Sequence, residues 1–213
     1  MVKGKPRERR KDERPAEILQ AAVEEFAENG FANAKIQSIA TRAGVAKGTV
    51  YLYYATKEEI FEAIVRDRIQ PVFAMASAMS EQWQGTQADL LRQIVTHFYG
   101  HMIENDERRM ILKTLISEGG RFSELAAFYH REILVGARKM LRELIRRGIE
   151  AGEFRDGAYA KEPMILVGPA IFAAVWKMTF DSVEKLNTKR WLEAHLDVIL
   201  SGVANHEKHE SRE

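Results

Sequence analysis

The stretch that decides the fold runs from Ile36 to Tyr54 and reads IQSIATRAGVAKGTVYLYY. Ala40 is small where two short helices must cross. Gly44 follows four residues later, where the chain needs a positive φ or a close backbone approach, and Val50 stands ten residues after Ala40. Ile39, Val45 and Val50 are the apolar positions that hold the two helices together. This spacing predicts one helix over Ile36–Ala43, a turn at Gly44, and a second helix that starts near Ala46 or Lys47 and carries Thr49 to Tyr53: a helix-turn-helix.

Charge adds to the pattern. Between Phe31 and Lys57 the basic residues are Lys35, Arg42, Lys47 and Lys57, and there is no Asp or Glu, although the chain has 31 acidic residues. A carboxylate-free, basic surface suits a phosphate backbone, which like charges would repel. Lys47-Gly48-Thr49 opens the second helix. Lys47 can pair with a phosphate or reach guanine O6/N7. Gly48 lets the backbone approach a duplex, and Thr49 can donate to phosphate or meet a thymine methyl. Tyr51 and Tyr53 are expected to present hydroxyls to DNA, while Tyr54 packs against the next helix. The candidate DNA contacts are thus Lys35, Arg42, Lys47, Gly48, Thr49, Tyr51, Tyr53 and Lys57.

Outward from this core the chain stays helical. Ile18, Ala22 and Phe26 recur every four residues, with Leu19 and Val23 beside them, in a helix over about 16–29 that Asn29-Gly30 stops. Thr56-Lys57-Glu58-Glu59 fits a capping box that opens a fourth helix to about Met79, kinked or divided at Pro71. Further helical stretches span about 87–104, 107–117, 123–151, 160–180 and 188–203, with no alternating strand pattern. The fold class is all-α. Expected segments are a flexible basic arm (1–15), a helix-turn-helix domain (16–56), a ligand-binding and dimerisation domain (57–205) and a polar tail (206–213).

Composition narrows the function. The chain has 213 residues, 46% hydrophobic and 30% charged, with a net charge of +1 and no cysteine, so disulfides and thiolate metal sites are excluded. The charged N-terminus lacks the apolar core of a signal peptide. Pro163–Phe180 is the longest apolar stretch, but Lys177 and Gly168-Pro169 interrupt it and a span needs roughly 20 apolar residues. The expectation is a cytoplasmic protein with no membrane partner. His97 and His101 lie four apart on a helical face, yet no third ligand is evident and Phe98 stands where a metalloprotease needs Glu, so no metal is expected. Without a nucleophile elbow, phosphate loop or dinucleotide fingerprint, neither an enzyme site nor a cofactor is expected.

The helices between Ile69 and Tyr129 are rich in aromatics and methionines, which can line an adaptable cavity. Phe73, Met79, His97, Met102, Glu118, Phe128 and Tyr129 are the candidate ligand-binding residues. The helix from Pro163 to Phe180 is apolar nearly all round and needs cover on every face. Pairing with a second copy of the chain would supply it, through Phe172, Val175, Trp176, Trp191, His195 and Ile199.

From Ile18 to about Phe61 the chain closely resembles the tetracycline-repressor (TetR) family. The resemblance rests on Phe26, Asn29-Gly30-Phe31, Ile36, Ile39-Ala40, Ala43-Gly44-Val45, Lys47-Gly48-Thr49-Val50-Tyr51, Tyr53-Tyr54 and Lys57-Glu58-Glu59. It implies about nine helices in a homodimer. Helices one to three read a double-stranded operator, later helices enclose a small-molecule effector pocket, and the last two pair with the partner's. It also implies a repressor released from DNA by its effector, with DNA contact at Lys47, Gly48, Thr49, Tyr51, Tyr53 and Lys57. One departure is that Ala34 and Lys35 stand where the family often has Thr or Ser, leaving Asn33 as the expected cap of the second helix and Lys35 as a phosphate contact. Alternative readings are a soluble helical small-molecule carrier and an architectural DNA-binding protein without an effector.

Overall fold

A computed structural model describes residues 7–205, and these are helical throughout apart from connecting turns and one isolated bridge between Phe154 and Ala204. The expected tail, 206–213, and the first six residues of the expected arm lie outside the described residues. The α-helices are α1 (Arg7–Asn33), α2 (Ile36–Arg42), α3 (Lys47–Tyr51), α4 (Lys57–Arg68), α5 (Gln70–Gln82), α6 (Gln87–Phe98), α7 (Asp106–Glu118), α8 (Ser123–Tyr129), α9 (Val135–Glu150), α10 (Gly168–Thr179) and α11 (Thr188–Val203). Only Ile69 separates α4 from α5, and a π-helical turn, His130–Leu134, joins α8 to α9. With α4–α5 and α8–α9 each counted once along the chain, the described residues form nine helices. None is long and apolar enough to cross a membrane.

Local chemistry explains the boundaries. α1 begins at Arg7, well before the expected start at Ala16, because Arg, Lys and Glu are good helix formers and Pro15 is carried inside the helix. Gly30 breaks it with φ 71°, a conformation that a Cβ disfavours. At the head of α4 the Glu59 amide donates to Thr56 Oγ1 (3.1 Å), and the Glu59 carboxylate accepts from the Ala55 amide (2.7 Å). Pro71 falls in the first turn of α5, so the helical ladder yields just upstream at Ile69. Glu153 places its carboxylate on the amides of Gln87 and Ala88 (2.7 and 3.1 Å), where α6 presents unpaired N–H groups.

The chain divides into two compact units that do not follow chain order. One holds the chain up to Arg68 together with Met110–Tyr129; the other holds Ile69–Arg109 and the chain from His130 onward. In the first, α4 packs on α1 and α8. Its core joins Ile18, Ala22, Ile60, Ile64 and Val65 to an aromatic cluster in which Phe31 lies 5.2, 5.8 and 5.1 Å from Phe26, Phe61 and Phe122. This burial draws α4 into the unit that carries the helix-turn-helix. In the second, α6 and α9 pack together over Leu90, Leu91, Leu141, Leu144 and Ile145, and the Phe154 ring fills the space where any residue but glycine at 148 would place its Cβ.

Candidate nucleic-acid interface

The α2–α3 pair is fixed from beneath. Ile39, Ala40 and Val50 are fully buried. Gly44, with φ 64°, closes α2 in a Schellman motif, the Val45 amide bonding to the Ala40 carbonyl (3.0 Å) and the Gly44 amide to that of Thr41 (3.1 Å). α3 then starts at Lys47 after an extended Ala46. With Val50 inward, helical geometry turns Gly48 to the far side and Tyr51 to the flank, while Lys47 stands at the open first turn of α3; all three are exposed, Tyr51 by 48%. Thr49 and Tyr53 are half-buried. The Lys47 ammonium lies 5.7 Å from the Tyr51 ring centroid, so one turn of helix presents a cation backed by an aromatic face. Tyr54 is part-buried, and burial with the Asp67 charge pushes its phenol above the usual range. Sequence reasoning missed Leu52, which is 82% exposed at the end of α3. Its signal was its place two residues after the buried Val50, on the opposite side of the helix.

The four basic residues of the carboxylate-free window meet different fates. Lys47 and Lys35 are exposed. Lys35 is the N-cap of α2, where no side-chain cap bond forms; the Asn33 amide instead donates back to the Asn29 carbonyl (3.3 Å), which corrects the expectation of an Asn33 cap. Arg42 is held by α1: Nε donates to Glu25 (3.1 Å) and both terminal nitrogens donate to Glu28. The Lys57 ammonium donates to the carbonyls of Phe31 and Ala32 (2.8 and 2.9 Å) and sits over the rings of Phe31 and Phe122 (4.7 and 5.6 Å). Those carbonyls end α1 without helical partners, and a cation is the natural group to satisfy them. Lys57 thus ties α4 to the end of α1.

A short buried helix pair with a positive-φ turn, and an outward helix bearing Lys, Gly, Thr and Tyr, is a DNA-reading geometry. Residues 18–64 match the model for bacterial regulatory proteins of the tetR family. The chain is 27% identical over 198 residues to the fatty acid metabolism regulator protein of Bacillus subtilis (strain 168), covering 92% of this chain and 99% of that protein. Residues 18–64 thus carry the DNA-binding region of the TetR family. The chain is a DNA-binding transcriptional regulator. Another relative is the transcriptional repressor KstR2 of Mycolicibacterium smegmatis, 27% identical over 140 residues, 65% of this chain and 66% of that one. Among solved structures, FadR from Bacillus subtilis in complex with stearoyl-CoA superposes with TM-score 0.73 at 24% identity, covering 88% of this chain and 98% of that chain. SmeT, the repressor of the Stenotrophomonas maltophilia multidrug efflux pump SmeDEF, gives 0.74 at 24%, covering 91% of each.

Phe73, Met79, His97 and Met102 lie in the unit holding α5, α6 and α9–α11; Glu118, Phe128 and Tyr129 lie in the unit holding the helix-turn-helix. Phe73 meets Phe98 edge-on (6.1 Å), and His97 Nε2 donates to the Val72 carbonyl (3.0 Å), tying α6 to α5. The His97 and His101 rings are 4.4 Å apart; burial, then His97 and Arg108, hold the His101 pKa below the usual range. Among the described residues no three His, Asp or Glu side chains gather as a metal site. Met102, Phe128 and Tyr129 are buried, Glu118 is half-buried, and burial pushes the Tyr129 phenol far up.

Of the candidate pairing residues, Trp191, Phe172 and Trp176 form a surface ladder with Phe180, at centroid steps of 5.8, 6.2 and 5.3 Å. Phe172 is 48% exposed, Val175, Trp176 and Trp191 are half-buried, and Val198 is 67% exposed. His195 and Ile199 differ from expectation: both are buried by their own unit, His195 to 3% exposure. His195 Nε2 donates to the Leu166 carbonyl (2.9 Å), which can only accept, so Nδ1 carries no proton and accepts from the Tyr99 hydroxyl (3.0 Å). Burial lowers the His195 pKa and raises that of Tyr99, so the pair stays neutral.

Proposed function

We propose that the protein is a homodimeric repressor that grips an operator through α3 and lets go when an amphipathic small molecule binds. The observation that carries this reading is a helix, α3, that Val50 anchors in the core while Lys47, Gly48, Tyr51 and the adjoining Leu52 stay exposed. Lys35, Lys47, Gly48, Thr49, Tyr51 and Tyr53 are assigned to DNA. The aromatic ladder around Phe172 is assigned to the partner protomer, because contiguous exposed aromatics favour a protein surface over water. Two copies of α3 about 34 Å apart would meet successive turns of a palindromic site. An effector that binds a state with a different spacing shifts the population away from DNA. Likeness along nearly the whole length of a fatty acid metabolism regulator makes acyl compounds the first effectors to try.

The test uses duplex DNA from upstream of the protein's own gene. The unaltered protein is expected to bind it in a salt-dependent way and to be released by one of a panel of acyl thioesters, free fatty acids, aromatic acids and lipophilic cations. Combined substitution of Lys47→Ala and Tyr51→Ala is expected to abolish DNA binding while leaving the fold and the effector-induced thermal shift intact. A protein that binds such compounds but no DNA is a carrier; one that binds DNA and no compound is architectural.

A further inference from the structure

Arg42 stands at the end of α2, inside the basic window, two residues before the turn into α3. Its guanidinium has five N–H donors in a fork that matches a carboxylate or a phosphate equally well. Here that fork is occupied. Glu28 takes both terminal nitrogens in a bidentate pair, and Glu25, only 2% exposed, takes Nε. Glu25 also accepts from the Lys35 amide (3.4 Å), so its carboxylate belongs to the packing of α1 on α2. Glu28 has no such second bond, and its side chain is 59% exposed. One cation faces two carboxylates, and the local charge is negative where the window by itself would be positive.

We propose that Glu28 is an affinity brake: it holds the Arg42 fork as a phosphate would, and so withholds one cation from DNA. The inference rests on the DNA-binding reading above. Phosphate contacts add affinity without regard to sequence, so a carboxylate that occupies one lowers binding to all DNA while base contacts from α3 keep their discrimination.

The experiment is a salt titration by fluorescence anisotropy, between about 50 and 200 mM salt. The probes are the upstream duplex and a scrambled duplex of equal length. Freed to pair with phosphate, Arg42 steepens the log–log salt slope by about 0.9 per bound subunit, equivalent to roughly 8-fold at 0.1 M relative to 1 M salt. Glu28→Gln is therefore expected to tighten binding to both duplexes by that order and to steepen both slopes. Arg42→Gln is expected to leave them nearly unchanged, and Glu28→Gln with Arg42→Gln to lose the gain. An unchanged slope in Glu28→Gln overturns the brake. So does a gain that survives in the double variant, or a loss of slope in Arg42→Gln alone, which would place Arg42 on phosphate already. Folding is judged by circular dichroism, and Glu28→Ala, read in the same way alone and with Arg42→Gln, takes the place of Glu28→Gln should that variant fail to fold. Absence of salt-dependent binding by the unaltered protein overturns the brake and the DNA-binding reading together; failure of the variants alone overturns only the brake.

Discussion

The α2–α3 segment and the α10–α11 segment both leave large apolar side chains in solvent, but in different company. Tyr51 and Leu52 stand with an exposed lysine, a glycine and a threonine of α3, above a core of Ile39, Ala40 and Val50. Phe172 and Phe180 stand with Trp176 and Trp191 in an unbroken aromatic run, with Val198 exposed on α11. Apolar groups mixed with donors and a cation suit a partner that is charged yet carries methyl groups, as a DNA groove does. Apolar groups in contact with one another suit a second apolar surface. The exposed area alone says little; the neighbours decide which partner fits.

That contrast can be broken by truncating the support of one face and an exposed group of the other. Ile39→Ala removes a fully buried side chain under α3 and is expected to cost about 2–5 kcal/mol in urea unfolding. Val198→Ala removes an exposed group and should stay within about 0.5 kcal/mol for the isolated protomer. Equal losses would mean that Val198 is buried in the unfolding species. Phe172→Glu sharpens the same contrast. It is expected to raise the dimer dissociation constant, seen by sedimentation, by at least about 30-fold if Phe172 is an interface anchor, with DNA affinity falling only through lost pairing.

Beneath the aromatic ladder, Tyr99→Phe leaves His195 Nδ1 buried without its donor and is expected to cost about 1–3 kcal/mol, read by thermal or urea unfolding. The same histidine sets a pH dependence. Its folded pKa lies below the usual 6.5, so the unfolded chain binds the proton first as pH falls. Its contribution is full above pH 6.5 and is lost as pH drops from there through the folded value. The melting temperature should fall over that window, and less so in His195→Gln. A modest effect belongs to the turn: Gly44→Ala, at φ 64°, is expected to cost about 1 kcal/mol in the same unfolding assay.

These differences also set how far the sequence could be read. The helix-turn-helix was legible because Ala40, Gly44 and Val50 leave one register, and Gly44 adopts the conformation its position demands. The fate of the cations was not. Glu25 and Glu28 lie 17 and 14 residues before Arg42, and a window free of carboxylates in sequence acquires two of them in space. Lys57 read as one more phosphate contact because nothing local reveals that the Gly30 break leaves the Phe31 and Ala32 carbonyls waiting for it. In this region α11 was legible, whereas the helix expected over 160–180 begins only at Gly168, after a 3-10 stretch Pro163–Val167 that Pro163 opens, and the rotation of neither helix was legible. α10 is apolar on most faces and carries no phase signal. His195, polar and regularly spaced, looked outward, yet Tyr99 and Leu166 satisfy it inside.

The most direct test of the central claim is the affinity of the unaltered protein and of Lys47→Ala for the upstream duplex, measured from about 50 to 200 mM salt. The account predicts binding that weakens linearly in log–log form, with Lys47→Ala weaker by roughly 10- to 100-fold at each salt concentration. Binding that ignores salt, or that Lys47→Ala leaves untouched, would contradict it.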